Sequence, residues 1–323
     1  MDEQKKPISR RDVLITGAGL AGVGAVASLV GSHPTSAHAQ EAIFSGSSTS
    51  LPVKQIEDIM EATGTVSNGV LTIDLDRDDL HVVGPGGIPF KPAWEINGEF
   101  FFQPLSNGQA ILNGDMCLLP EETNPFIDKL FQGGITLMAF HQHFFDLHPM
   151  VFFQHFRGIG DPLQLARAAI NAVKVTGTPL PQKAPSNPTT PLPAEELAHI
   201  LGGTAMIGGS GVVTVSIPRA ETIYLAGVAL KPETGVSVTV AFEPLDSSGQ
   251  YAAVAPDYAL IASEVNPALA VARAEGFVVH CLYNQETAEQ PQLYFSHNLK
   301  TGNPVDLAWQ IYKVLDKMNV KRS

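Results

Sequence analysis

Cysteine and positive charge are both scarce in this chain, and each shortage limits what the protein can be. Two cysteines in 323 residues exclude a disulfide-rich scaffold. The 20 Lys and Arg residues are outnumbered by 32 Asp and Glu residues, which gives a formal net charge of -12. Because an acidic chain repels a phosphate backbone, we expect no nucleic-acid partner.

The first 39 residues have the features of an export signal. A basic head contains Arg10 and Arg11, a mildly apolar stretch rich in Gly and Ala follows, and Ala37-His38-Ala39 supplies a small-residue cleavage site. Gly17 to Gly22 match a dinucleotide-binding pattern, but the cleavage site stands where that fold needs an acidic residue. We predict a twin-arginine signal over residues 1–39, cleavage after Ala39, and a periplasmic or secreted protein. No later segment is long and apolar enough for a stable membrane span.

The remaining chain is a tandem duplication at an offset of about 142 positions. Identical residues at this offset include Glu122 and Glu264, Pro149 and Pro291, and His155 and His297. We predict a first repeat over residues 51–175, a Pro-rich linker over residues 176–191 and a second repeat over residues 192–318.

Each repeat has the pattern of an α+β domain in which helices cover an antiparallel sheet. Periodicity and capping residues predict these elements in the first repeat: a helix near Gln55 to Met60, strands at Val70–Leu75, Trp94–Phe102 and Ala110–Leu119, a helix from Asn124-Pro125 to Gly133-Gly134, a hairpin of Ile135–Phe145 with Met150–Phe156, and a helix from Asp161-Pro162. The charged residues Asp74, Asp76, Arg77 and Asp79 are expected at a solvated strand edge.

Four histidines lie in the predicted hairpin, at His141, His143, His148 and His155. His141 and His143 share one face of their strand, since strand side chains alternate. His155 joins them if it pairs close to His141, which would leave Leu147 to Pro149 as the turn, whereas a one-residue shift would send it to the other face. We therefore predict that His141, His143 and His155 bind one divalent transition-metal ion, with His148 in the turn. Imidazole ligands suit Zn, Mn, Fe, Ni or Cu.

Glu122 precedes the predicted helix start and is the candidate for a fourth metal ligand or a general base. A metal ion with an open coordination position would acidify water or bind an oxygen-containing substrate. The corresponding function is an exported metal-dependent hydrolase or oxidoreductase.

Two alternatives stay open at this point. In the first alternative, the histidines form a hydrogen-bonded polar cluster without a metal ion. In the second, the protein is a non-catalytic envelope component that binds a cell-wall or small-molecule ligand between the repeats. In the second repeat Tyr283 and Gln285 replace His141 and His143. This replacement predicts one working site in the first repeat and a degenerate one in the second. Cys117 and Cys281 occupy non-equivalent places, and their pairing is left open.

The segment from Glu122 to Ala166 resembles domain-of-unknown-function family 1259, also called the LppY/LpqO lipoprotein family. The resemblance is carried by the E-x-N-P helix start at Glu122, the H-x-H strand at His141, the Q-H-F strand at His155 and the D-x-x-x-L-A helix at Asp161. It implies a doubled domain over nearly all of the mature chain. The chain departs from the family pattern at Gln142, in having no lipid-bearing Cys after the signal, and in lacking both strand histidines in the second repeat.

Overall fold

The computed structural model describes residues 50–183 and 188–322. The predicted export signal, residues 1–39, lies outside the described residues, as do residues 184–187 of the predicted linker. In the part of the chain that is described, no helix is long and apolar enough to cross a membrane.

Both repeats contain the same elements in the same order. The first repeat comprises α1 (Val53–Met60), β1 (Thr65–Ser67), β2 (Val70–Asp76), β3 (Val82–Val83), β4 (Pro89–Phe90), β5 (Asn97–Pro104), β6 (Ala110–Leu118), α2 (Pro120–Gln132), β7 (Thr136–His141), β8 (Phe152–Gly160) and α3 (Pro162–Val173). The second comprises α4 (Ala194–Leu201), β9 (Thr204–Ile207), β10 (Val213–Ile217), β11 (Tyr224–Leu225), β12 (Val228–Ala229), β13 (Val238–Pro244), β14 (Ala252–Ile261), α5 (Ala262–Ala274), β15 (Val278–Val279), β16 (Leu293–Gly302) and α6 (Pro304–Leu315).

Each repeat forms a six-stranded antiparallel sheet with the same strand order. The first sheet runs β1-β2-β5-β6-β8-β7 and the second runs β9-β10-β13-β14-β16-β15. Two-stranded ladders, β3 with β4 and β11 with β12, lie outside these sheets. The predicted α+β fold and the tandem duplication are both confirmed.

The two faces of each sheet are buried by different parts of the chain. In β5, Phe100 and Phe102 pack with residues of α3 such as Ala166 and Ala169 in one apolar core. Glu99 and Gln103 alternate with these phenylalanines and therefore point to the opposite face. We call this opposite face, in both sheets, the inner face, because it lies against the other repeat.

Reciprocal contacts across the inner faces join the two repeats. Gln103 accepts a hydrogen bond from the backbone N–H of Lys231 at 2.8 Å. Lys91 and Glu243 are the repeat equivalents of Lys231 and Gln103, and they form an ion pair across the same interface. Trp94 also donates its indole N–H to the backbone oxygen of Ala241 at 3.1 Å.

The inner faces have diverged into an apolar half and a polar half. In the apolar half, Phe144 and Leu147 of the first repeat are buried in one cluster with Ala255 and Leu299 of the second. An offset of 142 relates these four to Glu286, Glu289, Asn113 and Arg157, which form the polar half. Glu286 and Glu289 are 1% and 2% exposed, and Arg157 favours the ionised form of both.

Helix α2 begins at Pro120, four residues before the predicted start at Asn124. The reason is the Glu122 side chain, which accepts a hydrogen bond from the backbone N–H of Leu119 at 2.8 Å and so caps the first turn. Pro125 consequently lies inside the helix. Glu264 caps α5 in the same way, by accepting the N–H of Ile261 at 2.9 Å.

A buried arginine completes each of these caps. Arg77 donates from Nη1 and Nη2 to the two oxygens of Glu122, at 2.8 and 3.0 Å. Arg219 pairs with Glu264 in the same two-pronged geometry, at 2.8 and 2.9 Å. Arg77 is 0% exposed, so the expectation of a solvated edge is wrong for this residue. Both pairs tie the end of a central strand to the start of a helix.

Substituting Glu122 with Ala should lower the free energy of unfolding by about 3 kcal/mol, because it leaves the buried Arg77 without its partner. Urea denaturation measures the change. The matched control is Glu121→Ala on the same helix turn, where the side chain is exposed and the expected change is within about 0.5 kcal/mol. Equal stability of the two variants would contradict this role for the ion pair.

Candidate metal centre

The β7–β8 hairpin places His141 and His155 on the same face. His141 pairs with Phe153, and Ala139 pairs with His155. The register is therefore two residues away from the predicted pairing of His141 with His155. Because a shift of two keeps every side chain on its face, the two imidazoles still meet.

His141, His143 and His155 form one compact group, as the sequence predicted. Their ligand nitrogens all lie within 4.8 Å of one another. The Nε2 atoms of His141 and His155 are 2.9 Å apart, a spacing that two imidazoles bound to one ion at about 2.1 Å each would show. His143 lies beyond the end of β7 and is 5% exposed.

Two other residues singled out in the sequence lie elsewhere. The imidazole of His148 is 78% exposed and contacts the carboxylate of Asp146. Glu122 does not join the histidines: its oxygens accept hydrogen bonds from Arg77, from the N–H of Leu119 and from the N–H of Gly177. The expectation of Glu122 as a ligand or general base is therefore not met by this geometry.

A second group of possible ligands contains a histidine from the second repeat. Glu95, His143 and His297 also place one ligand atom each within 4.8 Å of the others. Nδ1 of His143 is 3.5 Å from Oε2 of Glu95, and Nε2 of His297 is 4.0 Å from the same oxygen. The cluster is thus built from both repeats, and we call these five residues, His141, His143, His155, Glu95 and His297, the candidate metal centre.

The second repeat is therefore not merely a degenerate copy of the first. It contributes His297 to the centre, and the ring of Tyr283 contacts the ring of His141. Cys281 lies beside His297, with Sγ 3.4 Å from Nδ1. Both cysteines are free.

An aspartate stands behind each of the two repeat-related histidines. Asp115 pairs with His155 across β6 and β8, and Asp257 pairs with His297 across β14 and β16. The carboxylate oxygens are 3.9 and 3.8 Å from the Nδ1 atoms, which leaves Nε2 of each histidine toward the centre. Both distances are longer than a hydrogen bond, so each carboxylate is an electrostatic neighbour of its imidazole rather than a hydrogen-bond partner. Sequence reasoning missed both, although Asp115 and Asp257 match at the same 142-residue offset.

The first repeat extends this pair into a row of acids across its sheet. Register places Asp74 opposite Glu99, Glu99 opposite Asp115, and Asp115 opposite His155. In the second repeat the first two positions of the row are Ser216 and Thr239. The excess of carboxylates therefore lies on the side of the centre that the first repeat forms.

Burial favours the uncharged forms of the groups at the centre. It lowers the pKa of His141 to about 4 and the pKa values of His143, His155 and His297 well below their usual range. It raises the pKa of Asp115 to about 7 and that of Asp257 to about 8, and raises the pKa of Glu95 well above its usual range. Neutral imidazole is the form that binds a metal ion, and a cation would favour the ionised carboxylates.

Several buried polar atoms here have no hydrogen-bond partner among the described residues. They include Nε2 of His143, Nδ1 of His155, Oδ1 of Asp257 and the hydroxyl of Tyr283. Buried polar groups are usually satisfied, so the unpaired Nε2 of His143, in one group with His141 and His155, fits a bound ion. The donor set and its geometry thus fit a transition metal.

Two cavities in the described part of the chain lie away from the centre. A cavity of about 390 Å³ is lined by Gly86, Pro89 and Tyr251 among others, and one of about 80 Å³ is lined by Arg219, Glu221 and Lys321 among others. No histidine of the centre lines either of them.

Fold and site together define a two-repeat α+β protein with a histidine-rich centre between its sheets. The chain belongs to the family described as Domain of Unknown Function (DUF1259), whose model matches residues 54–175 and 195–317. The match confirms the resemblance found in the sequence. No curated protein and no solved structure matches the chain.

Relative to an Asp257→Asn variant, the metal-free protein should lose stability as pH rises. Between the usual Asp pKa of the unfolded chain and the raised value of about 8 in the folded chain, only the folded state holds the proton. The unfolding free energy of the unmodified protein minus that of the variant should fall by up to about 1.4 kcal/mol per pH unit between about pH 5 and about pH 7. Urea denaturation in a chelator measures it, with exposed Asp128→Asn as the control. A difference that is flat with pH, or grows, would contradict the buried, protonated carboxyl.

Proposed function

We propose that the protein binds a divalent transition-metal ion through His141, His143 and His155 and uses it as an exported metal-dependent hydrolase or oxidoreductase. The observation that carries the proposal is the convergence of three imidazoles within 4.8 Å at a place where Nε2 of His143 is buried and unpaired. Zn, Mn, Fe, Ni and Cu all suit this donor set.

A resident ion would supply Lewis acidity or redox chemistry at a coordination position left open by three protein ligands. The chain's own residues have separable tasks around it. Asp115 lies 3.9 Å from Nδ1 of His155 and would favour the tautomer that carries its proton there, which frees Nε2 for the ion. The hydroxyl of Tyr283, buried and unpaired, is available to donate a hydrogen bond to a small reactant at the ion. Phe144 and Phe153 border the imidazole of His143 and limit the entry of water.

The alternative, a non-catalytic protein that holds a cell-envelope or small-molecule ligand between the repeats, has less support. The interface between the repeats is filled by an apolar cluster that includes Trp94, Phe144 and Leu299. The ligand groups of the centre lie within 4.8 Å of one another, and they line neither of the two cavities given above for the described residues. These features favour an ion and a small reactant over a bulky ligand.

Location follows from the N-terminal sequence and is part of the proposal. The twin-arginine pattern at Arg10 and Arg11 and the cleavage site after Ala39 favour export to the periplasm or beyond. This route carries folded proteins, so the metal ion would be inserted before export.

Replacing His141 and His143 with Ala should remove the bound metal. Elemental analysis of the purified full chain should find at least about one transition-metal ion per chain, and less than about a tenth of that in the double variant. The control is His148→Ala/His199→Ala, which removes two exposed imidazoles. Any activity found in a substrate screen should disappear on chelation and return on reloading. Negligible metal in all three proteins would end the proposal, and metal without a metal-dependent activity would reduce it to metal binding.

Substituting both Arg10 and Arg11 with Lys should block export, because the paired arginines are the element that the twin-arginine pathway reads. Cell fractionation with an antibody against the chain measures the result. The expected outcome is a precursor of full length retained in the cytoplasm, with a shorter form in the periplasm or medium only for the unmodified protein. Unchanged export of the variant would overturn the proposed route.

A further inference from the structure

The two groups of possible ligands share one residue, His143. One group adds His141 and His155, which come from the hairpin of the first repeat. The other adds Glu95, which precedes β5, and His297 of the second repeat. Within each group the ligand atoms lie within 4.8 Å of one another, and the five residues form two such groups rather than one.

The two nitrogens of His143 have different surroundings. Nδ1 is 3.5 Å from Oε2 of Glu95, on the side of the second group. Nε2 is fully buried and has no hydrogen-bond partner in the described part of the chain. The ring itself is held by stacking between Phe153, at a centroid distance of 3.5 Å, and His297, at 3.8 Å. A ring fixed in this way presents each nitrogen to a different neighbour.

Each group also has its own histidine with an aspartate beside it. His155 with Asp115 belongs to one group and His297 with Asp257 to the other. These two pairs are related by the duplication at the 142-residue offset. The duplication has therefore placed two equivalent imidazoles against one central ring, that of His143.

The acidic residues at the centre also favour a second bound ion. Among the described residues, the ion pairs of Glu95, Asp115 and Asp257 are all with histidines. No lysine or arginine among the described residues forms an ion pair with these three acids, so they are placed to face bound cations.

We propose that Glu95, His143 and His297 bind a second transition-metal ion and that His143 bridges the two ions through its two ring nitrogens. This inference rests on the proposed function, because it presumes the first ion at His141, His143 and His155. Nε2 of His143 binds the first ion and Nδ1 binds the second. A neutral imidazole carries one N–H proton, so filling both positions releases that proton to solvent and leaves His143 as an anion. The second ion then ties the first repeat to the second.

The test is the metal stoichiometry of the untagged full chain loaded with copper(II) and freed of excess metal by gel filtration. The unmodified protein should hold about two ions per chain. Glu95→Gln/His297→Gln should hold one, and His141→Gln/His155→Gln should also hold one. Exposed His148→Gln/His199→Gln is the matched control and should keep both. Circular dichroism and thermal unfolding of each variant check that it is folded.

Electron paramagnetic resonance gives a second measurement, which would not change if Glu95 and His297 had only a structural role. Two copper(II) ions joined by an imidazolate couple magnetically, so the integrated signal of the unmodified protein should fall well below its copper content. In Glu95→Gln/His297→Gln, signal and content should agree. Either double variant that retains one metal site is sufficient for this comparison if it is folded. Misfolding of one of them therefore leaves the test intact.

The outcomes separate the two proposals. One ion per chain with a full copper signal would overturn the bridged pair and leave the proposed function standing. Two ions that persist after Glu95→Gln/His297→Gln would place the second ion elsewhere and also overturn the inference. No bound ion in any protein would overturn both proposals. Two coupled ions, reduced to one uncoupled ion by either double substitution, would establish the bridge.

Discussion

Each sheet of this protein has two faces to bury, and its own helices cover only one of them. The other face is buried by the second repeat, so polar residues on that face are shielded from water only because the chain is duplicated. The alternation of strand side chains fixes which residues these are: Glu99 and Asp115 point inward while Phe100 and Met116 point to the helices. The candidate metal centre lies where the two inner faces bring such residues together.

Strong burial of charge follows from this arrangement. Asp115, Asp257 and Glu95 have pKa values raised mainly by burial, and four imidazoles have pKa values lowered by it. A stable fold would ordinarily place apolar residues at such positions, since burying unpaired polar groups is unfavourable. The chain does so in the apolar half of its interface, where Phe144 and Leu147 occur. The polar residues at the centre are therefore consistent with the proposed role in binding an ion.

The sequence predicted the part of the site that depends on local structure. His141, His143 and His155 lie on two neighbouring strands, and strand alternation brings them together even though the register differs by two residues. Glu95 was beyond such reasoning because it lies in an irregular segment before β5. Its neighbours are set by how two whole sheets pack. His297 was recognised as a repeat partner of His155, but no local rule places the two on opposite sides of one centre.

Glu122 illustrates a different limit. A carboxylate just before a helix is equally suited to cap the helix and to bind a metal ion, so residue type alone does not decide. The signal that distinguishes the two was present in the sequence as Arg77 and Arg219, which match at the same offset as Glu122 and Glu264. Two arginines and two glutamates retained in both repeats indicate a structural ion pair. The fold class depended only on periodicity and repetition and was predicted in full.

The split of the inner face into an apolar and a polar half restricts how the repeats can associate. Two copies of the first repeat, packed in this way, would press Phe144 and Leu147 against Asn113 and Arg157. Two copies of the second would bury Glu286 and Glu289 against Ala255 and Leu299. Both pairings set apolar groups against charged ones, whereas the first repeat with the second matches like with like. The split therefore favours packing of a first repeat against a second repeat over packing of two like repeats.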